Sequence, residues 1–231
     1  DPRKKDQADF ILWRGSQDEP SWPSPFGRGR PGWHMEDTAI TATNFGLRYD
    51  IHGGAVDLIF PHHEAEIAQG EVLSGVKPMV KYWIHTATLN VEGEKMSKSL
   101  GNYITVKDAL RRYDADTLKL YFTFHHYRRQ IDYREEDLRE ASKQVSFIRK
   151  VMGIMKGLRE RSQRPLRAWE EERLKELERC EKAFYAAMDD DFNTPKAFKN
   201  IIAFIHMLDD QSIKDANREF VEKTYRTLSR M

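Results

Sequence analysis

The chain has 231 residues, 39% apolar and 32% charged, with 38 Lys and Arg against 37 Asp and Glu. That length suits one large or two modest domains, and a net charge of +1 excludes a global basic field, so any nucleic-acid contact must come from local patches. One cysteine, Cys180, excludes an internal disulfide, and apolar runs of only a few residues exclude a helical membrane span.

No signal-peptide pattern opens the chain, and a lone cysteine suits a reducing compartment; a cytoplasmic setting with no membrane partner is expected. The sequence begins Asp-Pro-Arg without an initiator methionine, which fits a fragment, a processed product or a trimmed chain.

In chain order, Asp9 to Arg14 predicts a short apolar element. Three prolines between Glu19 and Gly27 predict extended surface chain, and 27–32 continues as loop. Trp33 to Thr43 reads as a helix opened by Pro31-Gly32. Tyr49 to His52 reads as a strand ending on Gly53-Gly54, and Val56 to Phe60 as a second extended run. Pro61 suits the first turn of a helix running from His62 to about Val72. On that helix His62 and Glu66, four apart, share a face while His63 and Glu64 point elsewhere. Lys81 to His85 and Thr88 to Val91 read as strands. Alternating strands and helices predict half of a doubly wound α/β domain.

The run Gly93-Glu94-Lys95-Met96-Ser97-Lys98-Ser99-Leu100-Gly101-Asn102 follows. Two lysines three apart in a loop of small residues can close on a polyphosphate, where donors aimed at developing negative charge stabilise a transition state. A generic Lys-x-x-Lys is an ordinary solvated loop; the full Lys-Met-Ser-Lys-Ser run is far more specific. Beyond it, Thr105 with Asp108 predicts a capped helix to Tyr113, and Asp114 caps a second through Phe124. His126, Tyr127, Arg128 and Arg129 form a basic, aromatic patch. From Glu135 onward apolar residues keep helical spacing, with Gln163-Arg164-Pro165 and Asn193-Thr194-Pro195 as breaks, and a bundle of roughly four helices is expected. Cys180 falls mid-helix and reads as a small core residue.

The Lys-Met-Ser-Lys-Ser loop resembles that of class I aminoacyl-tRNA synthetases. Further ordered blocks, among them Asp9 to Trp13, Glu19 to Pro25, Gly29 to Glu36, Asp50 to Gly54, Phe60 to Gln69, His126 to Arg128 and Ala187 to Pro195, resemble cysteinyl-tRNA synthetases from about residue 5 to 210. The resemblance implies an α/β plus all-α fold. Residues 1–103 would form the second half of a Rossmann-like catalytic domain, 104–140 a connecting helical segment, and 141–231 a DALR-like bundle. It implies ATP, with Mg²⁺, cysteine and tRNA(Cys) as partners. Lys95 and Lys98 would be catalytic, binding ATP together with Ser97, while Trp33, His52 and Asp57 would line the amino-acid pocket and His126, Tyr127 and Arg128 would contact tRNA. Oligomeric state stays open.

The family's zinc recognises the cysteine thiolate, and the matching ligand positions are His62 and Glu66. Where relatives carry a cysteine ligand this chain has Asp37. Aspartate can ligate Zn²⁺, though it is harder than thiolate, so two readings stay open: Asp37 completes the set, or no zinc binds. The family's other cysteine ligand and its His-Ile-Gly-His motif have no match here, and the isolated chain is therefore expected not to form adenylate. Two other functions remain open: a non-catalytic tRNA- or protein-binding module, and a ligase joining cysteine to a small amine.

Overall fold

The computed structural model describes residues 2, 4–97, 99–158, 164–208 and 210–231. They form two compact units, Asp1–Thr88 and Leu89–Met231.

In the first unit, β1 (Trp13–Gly15) and β2 (Gly29–Pro31) pair antiparallel, with Arg14 opposite Arg30. The stretch expected as loop over 27–32 is thus partly strand: the proline-rich segment folds back so that Trp22 bridges Gly29. Helix α1 (Trp33–Phe45) follows directly. β3 (Tyr49–Ala55) and β4 (Val80–Thr86) pair in parallel, and α2 (Glu64–Ser74) connects them, as a parallel pair requires.

The extended run expected over Val56 to Phe60 is not a strand. A 3-10 turn, Val56–Leu58, leads into a wide turn, Ile59–His63, with only Phe60 extended. Among the described residues no strand lies alongside this run to pair with it, and Val56, Ile59 and Phe60 are exposed. α2 then ends on Gly75, whose left-handed conformation (φ +67°) suits glycine at a helix C-terminus. Its Gly70 packs on Met79, where a Cβ would lie 1.8 Å from Sδ. The buried residues of this unit are largely polar: Thr38, His62, His63, Glu66 and Gln69 beside Ala65, Met79 and Val80. Polar side chains buried in such proportion mark a site rather than a packing core.

In the second unit β5 (Leu89–Val91) lies between β6 (Glu94–Lys95), antiparallel, and β7 (Ile131–Tyr133), parallel. Helices α3 (Val106–Arg112) and α4 (Ala115–Thr123) begin on the expected caps: Thr105 Oγ1 accepts from Asp108 N, and Asp114 Oδ1 from Thr117 N. Tyr121, Leu138 and Ala141 centre a small core here, with the Tyr121 hydroxyl donating to Asp132 O at 2.9 Å. Helix α5 (Glu135–Leu158) runs on into the bundle with α6 (Ala168–Asp189), α7 (Thr194–His206), the short α8 (Asp210–Lys214) and α9 (Arg218–Leu228). Leu177, Cys180, Phe184, Phe204, Ile205 and Phe220 fill its core, so Cys180 is the buried hydrophobe expected. No described helix is long and apolar enough to cross a membrane.

Candidate functional site

Helix α1, the Ile59–His63 turn and α2 bring three polar side chains to one point. His62 Nε2 lies 3.0 Å from Asp37 Oδ2 and 2.9 Å from Glu66 Oε1. α2 starts at Glu64 rather than at His62 as expected, so His62 comes from the last turn of Ile59–His63, which leads into α2 and sets it four residues before Glu66; α1, one turn from its start, supplies Asp37. Asp37, His62 and Glu66 thus offer one ligand atom each within 4.8 Å of one another.

Glu66 is fully buried, and neither carboxylate oxygen receives a hydrogen bond. His62 Nε2 lies 2.9 Å from Oε1 but makes no hydrogen bond to it. An isolated buried carboxylate is costly; burial, with the Asp37 charge second, pushes Glu66 up to about 7. A bound cation removes that penalty, so the donor set fits a divalent metal. On the other side of the His62 ring, Nδ1 lies 2.6 Å from His34 Nδ1. A proton on His62 Nδ1, shared with His34, leaves Nε2 free as a ligand, which is how ligating imidazoles are commonly oriented.

A second group surrounds the other Glu66 oxygen. His52 Nδ1 lies 3.7 Å from Glu66 Oε2 and 2.6 Å from the Tyr49 hydroxyl. His63 Nδ1 lies 2.8 Å from His85 Nε2, and Trp83 stacks on His52 at 4.7 Å. His63 therefore does not turn away from Glu66 as expected: His52, His63 and Glu66 also converge within 4.8 Å. Gly54 makes room for it, since a Cβ there would lie 2.6 Å from His63 Cε1. Burial first, and then neighbouring imidazoles, bring His63 down to about 4 and lower His52 as well. Sequence reasoning missed His34, His63, Trp83 and His85. The signal for them was histidine density, since five of the eight histidines precede residue 88.

Trp33 stacks on His62 with ring centroids 4.2 Å apart, whereas His52, on β3, has its ring contacts with Tyr49, His63 and Trp83. Asp57 is exposed in the 3-10 turn after β3.

In the second unit Lys95 is exposed on β6. Ser97 shapes the loop: its N–H donates to Asn102 Oδ1 at 2.9 Å, and its Oγ lies 3.2 Å from Ser99 Oγ. Lys98 lies outside the described residues. Tyr127 and Arg128 meet an unforeseen partner, Asp191, in the turn between α6 and α7. The Tyr127 hydroxyl donates to Oδ1 at 2.6 Å, and Arg128 binds both oxygens, at 2.5 and 3.1 Å. His126 Nε2 is 3.9 Å away. Arg128, with Tyr127, holds Asp191 down at about 2. Asn193 caps α7, as its place before Thr194-Pro195 predicts.

Comparison with known proteins decides the family. The family described as "tRNA synthetases class I (C) catalytic domain" matches residues 1–143, and the DALR domain family matches 183–230. The chain belongs to the class I (C) tRNA synthetase family. It is 43% identical over 216 residues to the cysteine–tRNA ligase of Persephonella marina, covering 92% of this chain and 44% of that protein. It is 42% identical over 233 residues to that of Geobacter sp. strain M21, covering 100% of this chain and 48% of that protein. The chain thus spans about half the length of the curated relatives it matches. A solved class I synthetase, the Agrobacterium radiobacter K84 agnB2 LeuRS in a complex with tRNA and LeuAMS, shares the fold with a TM-score of 0.70. It is 15% identical, over 91% of this chain and 32% of that one.

Proposed function

We propose that this chain is the part of a cysteine–tRNA ligase that recognises the amino acid, closes on ATP and meets tRNA(Cys), in the cytoplasm. The observation that carries the reading is the buried Glu66 carboxylate, lacking hydrogen-bond donors and facing His62 and Asp37 beneath the Trp33 ring. Zn²⁺ held by Asp37, His62 and Glu66 would supply a soft centre that prefers a thiolate to a hydroxyl. Trp33 and His52 wall the amino-acid pocket, and the Asp57 carboxylate takes the substrate ammonium.

Adenylation needs no general base, because the amino-acid carboxylate is already ionised. Its oxygen attacks the α-phosphorus of ATP, carried with Mg²⁺, and the bond to pyrophosphate breaks. Lys95 and Lys98 neutralise the leaving charge, and Ser97 holds the loop in shape. Residues 1–103 carry this chemistry, 104–140 connect it to the bundle, and 141–231 form the bundle; this division is by role rather than by contact. His126, Tyr127 and Arg128 meet the tRNA backbone, where an incoming phosphate competes with Asp191 for the guanidinium.

The test is cysteine-dependent pyrophosphate exchange by the complete gene product and by this chain, with serine as control. Exchange by the complete product alone is expected, as no His-Ile-Gly-His run occurs in these 231 residues. No exchange by the complete product, with tRNA binding retained, would make it a binding module; a cysteinyl amine formed without tRNA would make it a small-amine ligase.

A further inference from the structure

The hairpin that carries Lys95 turns on Glu92 and Gly93. Asn90 pairs with Lys95 and Val91 with Glu94, so two residues close the turn. Both have positive φ, +53° and +83°, the backbone of a type I′ turn, whose usual first residue is Asn, Asp or Gly. Glutamate is disfavoured there, since a Cβ in the left-handed region crowds the backbone. Two side chains hold the turn in place. Gly93 N–H donates to Asp132 Oδ1 at 2.8 Å, and Asn90 Nδ2 donates to Gly93 O at 3.0 Å.

Asp132 is itself tied to the core of the second unit. It lies opposite Asn90 in the parallel β5–β7 pair, and its carbonyl accepts from the hydroxyl of the fully buried Tyr121. Its Oδ2 accepts from Arg134 Nε at 2.8 Å. The Gly93 N–H first, and Arg134 second, hold its carboxyl below the usual carboxylate range, so at neutral pH it is a charged acceptor, the stronger kind.

Lys95 stands two residues beyond Gly93. On its far side Asn102 Nδ2 donates to Lys95 O at 3.3 Å, and Asn102 Oδ1 accepts from Ser97 N–H. The backbone of Lys95 is thus set between two clamps, a local one seven residues on and one reaching across 39 residues from β7. A cation that stabilises a leaving pyrophosphate is most effective when it is in place before the reaction, because ordering it in the transition state gives back part of the gain.

Resting on the tRNA-ligase reading above, we propose that Asp132 is a positioning residue for adenylation: its carboxylate fixes the Glu92-Gly93 turn and so sets where β6 presents Lys95 to the polyphosphate of ATP. Its action is through the backbone of the turn, not through contact with ATP or cysteine.

Cysteine-dependent pyrophosphate exchange is measured on the complete gene product carrying Asp132→Ala, Asp132→Asn, Glu92→Asn, or Asp132→Ala together with Glu92→Asn. Loss of one charge-assisted hydrogen bond should lower kcat in Asp132→Ala by roughly ten-fold. KM for ATP should stay within about two-fold of the parent, as when an interaction serves the transition state alone. Asp132→Asn keeps an acceptor for Gly93 and should retain most of kcat. Glu92→Asn should leave the parent unchanged yet restore most of the loss in Asp132→Ala, because Asn-Gly forms the turn unaided; a merely structural role for Asp132 gives no such rescue. Should Asp132→Ala weaken β7, Asp132→Val removes the acceptor while favouring the strand, with the same loss expected. Parental kcat in the folded Ala or Val variant, or a loss that Glu92→Asn does not relieve, overturns the proposal. A second measurement needs no turnover: ATP should slow tryptic cleavage after Lys95 in the parent, and less so in Asp132→Ala. No exchange by the parent, with ATP protection that depends on Asp132, counts against the ligase reading alone. An active parent whose kcat and protection ignore Asp132 counts against the positioning role alone.

Discussion

The rings of Trp33 and His62 lie nearly parallel, 19° apart, with centroids separated by 4.2 Å. Three sides of one imidazole are therefore specified: an indole over its face, His34 at Nδ1, and two carboxylates at Nε2. A side chain held on three sides cannot reorient without losing all of them, which is what a precise ligand requires.

From this stack, Trp33→Leu should lower zinc affinity by roughly ten-fold, as losses around a metal ligand typically do, while Trp33→Phe should retain most of it. Chelator competition on the purified protein measures both. Equal affinity in all three proteins would show the stack to be packing only.

The donor set makes a second prediction. Glu66→Gln should abolish stoichiometric zinc, because the neutral amide cannot balance the cation, whereas Asp37→Cys should tighten binding, thiolate being the softer ligand. Elemental analysis after dialysis reads both. Zinc retained by Glu66→Gln would move the metal away from this cluster.

The Asp191 turn can be tested in the opposite direction. Asp191 sits at φ +54° and binds both Tyr127 and Arg128. Asp191→Ala should lower the melting temperature of the second unit, since it releases the α4 end from the α6–α7 turn. At low salt it should strengthen RNA binding, since Arg128 is freed. A variant that melts lower without binding better would leave Arg128 a structural residue.

Much of this was readable in advance because the signals are local. Thr105, Asp114 and Asn193 cap helices through contacts within three residues, and the His62–Glu66 pair follows from helical spacing alone. What was not readable depends on residues far apart in sequence. Arg30 becomes a strand residue only because Arg14 lies opposite it, and Asp191 finds Arg128 63 residues away. The run Val56 to Phe60 misled because its apolar residues suit a strand, whereas strand formation depends on a neighbour to pair with.

Glu170 offers a stability test away from the site. It is fully buried and accepts from both Arg164 Nη atoms, at 2.8 and 2.6 Å, and from the N–H groups of Arg167 and Asn217. Burial alone would raise its pKa, but these donors more than offset it and lower it. Its contribution is present above the ordinary glutamate range and lost as pH falls. Glu170→Ala strands a guanidinium and should cost about 3 kcal/mol in urea unfolding. A change within error would mean that water replaces the carboxylate.

The pH dependence of the metal-free protein isolates Glu66. Its pKa is raised by burial and by Asp37 to about 7, so its contribution is full below about 4.5 and lost as pH rises through about 7. His63 has the opposite sign: lowered to about 4, it contributes above about 6.5 and is lost as pH falls through 4. The two oppose each other in the parent, so the measurement is a difference. With chelator present, Glu66→Gln should gain on the parent between pH 5 and 7.5, reaching up to about 3 kcal/mol. Added zinc should reverse the order above pH 7, because the parent's ionised carboxylate then has its cation. A stability difference that stays constant across that range would show that Glu66 is already ionised at pH 5.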